Sequence, residues 1–317
     1  MLDAWIITDG AAGNERQALA LAQALDTRAR VLRLPLRAPW SWLAPRQLPG
    51  GRLALSARDR AQFAPPWPRL AIGCGRHSAL LTRLLRELCD GDCFSVQILD
   101  PRVDTRHWDA VIAPRHDGLH GDNVITTIGS LNPIDDGWLA AGRNAFPEFA
   151  RLPQPRTALL LGGPRGGIAF DDGYARALAA GLAHMQREGG SVLASISRRT
   201  PATFAQFLRD DLSRYPGFFW RNDADGMNPY PGLLGWADRI VVTPDSVNML
   251  SEAAATGVPV HTLVSARLPD KLARFHAALR ERGLLHDLGV EAAPAATPLR
   301  ETAKVAVSVR ARMTSSR

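Results

Sequence analysis

Short runs of apolar and β-branched residues recur along the first half of the chain. They are AWIIT at 4–8, VLRL at 31–34, LAIG at 70–73, SVQIL at 95–99, AVIA at 110–113 and VITT at 124–127. Between them lie spans with apolar residues at helical spacing. Ala18, Leu21, Ala22 and Leu25 mark one from about Glu15 to Leu25, and another runs from about Ser78 to Leu88. Most of the short runs are continuously apolar rather than alternating, the pattern of strands covered on both faces. Repeated β-α alternation of this kind predicts a parallel sheet.

Residues Phe146 to Arg156 (FPEFARLPQPR) are punctuated by proline and read as a linker. The pattern then restarts. Strands are expected at 157–161, 192–196, 239–243 and 258–261. Helices are expected from about Asp172 to Arg187, up to Leu212, from Val247 to Thr256 and from Asp270 to Arg282, with one more in the tail from Pro298. The expected fold is therefore α/β: two doubly wound, Rossmann-like domains facing a central cleft. They would span 1–150 and 151–317, the second including the C-terminal helix. Ligands of such sheets bind beyond the carboxyl ends of the strands, and the cleft between two halves is the expected site. Residues 35–68 break the alternation with Trp40, Trp42, Trp67 and several prolines. The stretch reads as a substrate-side loop, as a membrane-facing apolar patch, or as packing by the tryptophans, the usual fate of that side chain.

The charge balance narrows the partners. Lys and Arg number 38 and Asp and Glu 31, a net charge of +7. Only Lys271 and Lys304 are lysines, and arginine suits bidentate recognition of phosphate or carboxylate. Solvated arginines account for most of the excess. The sharper reading is an anionic partner, and composition alone does not choose among a nucleotide, a phosphorylated saccharide and an anionic membrane surface. No block of basic residues or interleaved aromatic motif points to nucleic acid. No apolar run approaches the ~20 residues of a membrane helix, and the start, MLDAW, has no basic n-region. The expected location is cytoplasmic. Cys74, Cys89 and Cys93 have neither disulfide nor zinc spacing and read as reduced thiols. His107, His116 and His120 sit in a loop-like region that fixes no ligand geometry, so no metal is expected.

Four constellations can carry chemistry. The first is Thr8-Asp9-Gly10-Ala11-Ala12-Gly13-Asn14-Glu15-Arg16-Gln17, where a strand meets a helix. Its glycines permit close backbone approach and the helix start favours an anion. The same residues equally describe a tight turn capped by Asp9 or Asn14. It is not a dinucleotide fingerprint, since the G-x-G-x-x-G spacing is missing. The second, Gly73-Cys74-Gly75-Arg76-His77-Ser78, opens another helix. Arg76 can pair an anion and His77 can move protons, although a histidine at a helix start is more often structural. The third joins Gly162-Gly163-Pro164-Arg165-Gly166-Gly167 to Ser197-Arg198-Arg199-Thr200, which end successive strands. Four glycines, three arginines and two hydroxyls fit a diphosphate cradle, against the plainer reading of flexible loops. The fourth, ADRIVVTPDSVNMLSEA at 237–253, delivers Asp245 and Ser246 to a helix start. Their oxygens can cap the helix and its free amides can meet a phosphate, while Glu252 can accept from ribose hydroxyls.

This fourth motif resembles the donor-binding segment of GT-B glycosyltransferases, especially the lipid-intermediate N-acetylglucosaminyltransferase of peptidoglycan synthesis. Across roughly Thr8 to Val260 the chain more closely resembles the family of the plant mitochondrial elongation and fission factor, whose bacterial relatives go by the name of glycosyltransferases. The matching pieces are TDGAAGNERQALALA, GCGRHSA, VQILDPR, LLGGPRG, SRRTP, NPYPGLLGWAD and VVTPDSVNMLSEAAATGVPV. The resemblance implies a GT-B fold and metal-independent transfer of a sugar from a UDP- or GDP-linked donor to an envelope saccharide or lipid-linked acceptor. No cofactor is implied, and contact with the inner membrane face would be peripheral. Gly163 and Arg165 would form the phosphate loop, with Gly162, Ser197, Arg198 and Arg199 beside it. Asp245 and Ser246 would start the helix and Glu252 would hold the ribose. Asn228 and Tyr230 would lie near the base. Gly10, Gly13, Gln17 and Arg76 would face the acceptor. The acceptor loop departs from the Gly-Gly-Thr-Gly-Gly-His type and carries no histidine. The general base is open among Asp9, Glu15, His77 and Asp117. The fission relatives also imply an alternative, a non-catalytic scaffold or membrane-remodelling protein that kept the fold.

Overall fold

Strands buried along their whole length need apolar residues on both faces, and the central strands here are of that kind. In the first unit these are β3 (Leu70–Cys74), β4 (Phe94–Ile98) and β5 (Ala110–Pro114). They join β1 (Leu2–Thr8), β2 (Thr27–Arg33) and β6 (Val124–Thr127) in one sheet of order β2-β1-β3-β4-β5-β6, with every pair parallel. Helices α1 (Ala12–Ala24), α2 (Trp40–Leu43), α3 (Ala57–Gln62) and α4 (Arg76–Leu88) follow the chain. The computed structural model describes residues 2–292 and 297–315.

The second unit repeats the scheme. Helix α5 (Asp136–Ala145) precedes β7 (Arg156–Leu161), α6 (Asp172–Met185), β8 (Ser191–Ile196), α7 (Ala202–Leu212), β9 (Gly217–Trp220) and α8 (Tyr230–Trp236). Then come β10 (Arg239–Val242), α9 (Val247–Thr256), β11 (Val260–Thr262), α10 (Asp270–Arg280) and β12 (His286–Asp287). This sheet is also wholly parallel, in the order β12-β11-β10-β7-β8-β9. Counted within the unit, that is the dinucleotide-binding order 3-2-1-4-5-6. The first unit begins in the flavodoxin-like order 2-1-3-4-5. Both therefore have a switch point, between β1 and β3 in one and between β7 and β10 in the other.

The units divide differently from the sequence pattern. They comprise Met1–Pro133 with Glu301–Arg317, and Ile134–Arg300. The proline-punctuated stretch expected to be a linker lies inside the second unit, where Phe146 and Phe149 stack at 5.5 Å. The C-terminal helix α11 (Thr302–Ser315), expected in the second domain, belongs to the first. Its Val305, Ala306 and Val309 enter the same core as Ala18, Leu21 and Ile72. The Glu301 carboxylate accepts from the amides of Ile128 and Gly129 at 3.0 Å, and Thr302 Oγ1 donates to Asn132 O at 2.7 Å.

Elements without a long periodic run were not expected. Helix α5 packs on α8 through glycine. A Cβ at Gly142 would stand 2.3 Å from Pro231 O, and one at Gly232 2.6 Å from the Phe146 ring. The NPYPGLLGW motif thus serves a close helix crossing, which Trp236 Nε1 reinforces by donating to Phe146 O at 2.9 Å. The three cysteines are free and buried. Burial raises the pKa of the Cys74 and Cys93 thiols, which keeps them as neutral thiols. No helix among the described residues is long and apolar enough to cross a membrane.

Candidate functional site

At the second switch point three loops converge on one carboxylate. Strand β7 ends at Gly162-Gly163, β8 at Ser197-Arg198-Arg199-Thr200, and β10 at Thr243-Pro244-Asp245-Ser246. Asp245 has no exposed surface. Its Oδ2 accepts from Gly163 N at 3.1 Å and Arg199 Nη2 at 2.8 Å, and its Oδ1 from Thr243 Oγ1 at 2.8 Å. Thr243 Oγ1 in turn accepts from Gly162 N at 2.8 Å. The two glycines are required by proximity. A Cβ at Gly162 would lie 2.1 Å from Asp245 Oδ1, and one at Gly163 2.3 Å from Arg199 O. Asp245 was expected to cap α9 beside Ser246. It turns inward and ties the loops together, and Ser246 alone caps the helix, accepting from Met249 N at 3.3 Å.

The cations surround this brace. Arg199 spends its charge on Asp245, a pair worth less than a fully buried one because the arginine side chain is 48% exposed. Arg165 is exposed and reaches Asp245 O at 3.4 Å, next to the start of α9. Arg198 is exposed at the turn of its loop. Ser197 and Thr200 shape that turn: Ser197 N donates to Thr200 Oγ1 at 3.0 Å and Arg199 N to Ser197 Oγ at 3.1 Å. Their hydroxyls therefore hold the loop, with Arg165 and Arg198 presented to solvent. Glycine backbone, two presented arginines and a helix start are the kinds of group that bind anions in other proteins.

Two residues singled out separately are brought together. Tyr230 Oη donates to Glu252 Oε2 at 2.5 Å, and Glu252 is only 3% exposed, on α9. Asn228 is exposed, and its Oδ1 accepts from Tyr230 N at 3.0 Å, opening α8. Sequence reading missed His276, which lies on the buried stripe Leu272, Phe275, His276, Leu279 of α10. Its Nε2–H donates to Pro244 O at 3.0 Å, behind the α9 start. Burial pulls its pKa down to about 4. A histidine at i+4 on an otherwise apolar stripe was the available signal.

At the switch point of the first unit, Asp9 and His77 meet, with Nδ1 3.5 Å from Asp9 Oδ2. His77 Nε2 donates to Ser41 O at 3.2 Å, and Asp9 Oδ1 accepts from Ala11 N at 3.0 Å. Neither Asp9 nor Asn14 caps α1, whose N-cap is Ala11 without a side-chain bond. The Asn14 amide instead lies 2.6 Å from where a Cβ on Gly75 would be. Gly10 (φ +85°) and Gly75 (φ +83°) adopt the left-handed region that favours glycine. Gly10 and Arg76 are exposed and Gly13 is half-buried. Gln17, expected to face an acceptor, is buried in α1 at 4% exposure. Glu15 is engaged by a two-pronged bond from Arg33, at 2.9 and 2.6 Å. Asp117 follows β5, three strands from β1 and beside His116 at 4.0 Å. Strand spacing alone puts the ends of β1 and β5 roughly 14 Å apart. Among the described residues no three His, Cys, Asp or Glu side chains gather as a metal-ligand set.

Two parallel sheets with these strand orders and glycine-rich turns at both switch points define a GT-B-like α/β protein. The chain is similar to the UDP-GlcNAc 2-epimerase from Neisseria meningitidis, solved bound to UDP-GlcNAc. The TM-score is 0.57 at 12% identity, covering 98% of this chain and 99% of that one. It is similar also to the glycotransferase of kitacinnamycin, with a TM-score of 0.51 at 13% identity, covering 99% and 93%. The chain belongs to the mitochondrial fission ELM1 family, whose model matches residues 12–313. It is 32% identical over 279 residues to the mitochondrial fission protein ELM1 of Arabidopsis thaliana, across 79% of this chain. It spans 65% of that relative's length.

Proposed function

We propose that the chain binds a nucleoside-diphosphate sugar at the second switch point and transfers its sugar to a saccharide or lipid-linked acceptor at the cytoplasmic membrane face. The observation that carries this reading is the convergence of Gly162-Gly163, Arg165, Arg198 and the α9 start around the Asp245 brace. A departing diphosphate needs fixed positive charge, and presented arginines with free helix amides supply it without a divalent ion. The reading invokes no cofactor. It gives Tyr230 and Glu252 to the nucleoside, and it leaves Asp9 with His77 as the acceptor-side acid–base pair. The UDP-GlcNAc held by the Neisseria protein on the same fold supports a uridine nucleotide as the first donor to try.

A thermal-shift screen against UDP, GDP, ADP, CMP and their sugar conjugates tests it. One nucleotide diphosphate should stabilise the chain by about 2.7 kcal/mol at a hundredfold excess over Kd. Arg198→Ala should weaken that binding about tenfold, the worth of one charge-assisted contact, and leave the ligand-free melting temperature unchanged, since Arg198 is exposed. The name of the Arabidopsis relative favours a second reading, a GT-B-fold scaffold without catalysis. A flat screen across all nucleotides would select it.

A further inference from the structure

We propose that the lobe formed by α2 and the 3-10 turn Gly51–Ala54 docks the first unit onto an anionic lipid bilayer. The proposal rests on the surface of this lobe and does not depend on sugar transfer. Trp42 is 75% exposed, Leu53 57% and Leu43 42%, and they are among the few large apolar side chains left in water. An exposed tryptophan among leucines costs solvation that a membrane interface recovers. There the ring sits at headgroup level and the leucines reach the acyl boundary.

The lobe is held as a platform. Trp40 packs against the core cluster that contains Ala44, so α2 is anchored on one side while Trp42 points out. Three bonds fix the position: His77 Nε2 to Ser41 O at 3.2 Å, Arg83 Nη1 to Pro45 O at 3.1 Å, and Arg37 N to Ala54 O at 2.8 Å. The last brings Arg37 beside the 3-10 turn.

Charge decides the occupant. Residues 35–69 hold six arginines and one acidic residue, Asp59, so this stretch carries +5 of the chain's net +7. Asp59 is engaged with Ser56 at 2.6 Å. Arg37, Arg46 and Arg52 are exposed around the apolar apex. A cationic rim about an apolar tip complements an anionic bilayer, with phosphate at the rim and hydrocarbon at the tip. A second copy would oppose arginine to arginine. Nucleic acid would leave the leucines without apolar partners. Because Ser41 O accepts from His77, the lobe is joined directly to the Asp9–His77 pair, and docking would bring that loop to the membrane surface.

Co-sedimentation of the full chain with vesicles tests the proposal. The chain should pellet with phosphatidylcholine mixed with phosphatidylglycerol and remain free with phosphatidylcholine alone. Raised salt should weaken the binding. The pairs Trp42→Ser with Leu53→Ser, and Arg46→Glu with Arg52→Glu, should each lower partitioning about tenfold. Melting temperature and nucleotide response should stay unchanged, which separates this test from that of the donor site. Absence of binding to anionic vesicles, or binding by both paired variants equal to that of the native chain, would overturn the proposal. So would a dimer in solution that Trp42→Ser dissociates, which would assign the lobe to a second copy.

Discussion

Asp245 and His276 both hold the turn that leads into α9 and do different work there. Asp245 gathers three donors, so removing it frees the ends of β7, β8 and β10 together. His276 stays neutral because burial disfavours its charged form. Unfolded, it takes a proton near its ordinary 6.5; folded, it does so near 4. Between those values the unfolded chain binds more protons, so stability rises with pH across the window. The contribution is complete above about 6.5 and is lost as pH falls toward 4, an effect on the order of 3 kcal/mol at about 1.4 kcal/mol per unit. Urea unfolding between pH 4 and 7 should show that slope in the native chain. His276→Gln, which can still donate to Pro244 O, should flatten it. Site chemistry at this scale was only partly legible. Gly162, Gly163 and the arginines made the proposed anion site legible by residue type. That Asp245 braces the loops depended on Gly163 and Arg199, 82 and 46 positions away, and that Glu15 pairs with Arg33 depended on a partner 18 positions away.

The crossing of α5 and α8 depends on the absence of side chains. Replacing glycine by alanine within a helix ordinarily stabilises it by about 1 kcal/mol. Here the sign should invert. The Cβ of Gly142→Ala would meet backbone at Pro231 O, which cannot swing aside. Overpacking costs of this kind run to roughly 1–3 kcal/mol. Gly142→Ala should therefore lower the urea midpoint, and Gly232→Ala should do the same through the Phe146 ring. Neither helix carries a long apolar stripe, since their contact is made by glycine. Edge strands β9 and β12 were equally unreadable, being short and only partly buried. Strands such as β3 and β7, buried throughout, were read directly from their apolar runs.

At the scale of the molecule the chain returns to its beginning. Helix α11 completes the first unit's core with Val305, Ala306 and Val309. A chain ended at Arg300 should lose roughly 4–6 kcal/mol from that unit, the worth of those buried side chains. It should also free the amides that Glu301 holds. Hydrogen exchange should then show faster exchange in α1 and β1, with protection in β7, β8 and β10 unchanged. The second unit, with its own sheet, should keep its melting transition.

Alternation of buried strands with amphipathic helices determined the α/β class and the doubling of the fold, because burial on both faces imposes apolar runs wherever a strand is central. Glycine-rich turns after strands determined where ligands could approach, since close backbone approach excludes a Cβ. Tertiary structure alone decided the boundary at Pro133, the return of α11, the Tyr230–Glu252 pair and the inward turn of Asp245 onto Gly163 and Arg199. Each of these is a contact between residues distant in sequence, and local periodicity carries no record of which distant partner a side chain meets.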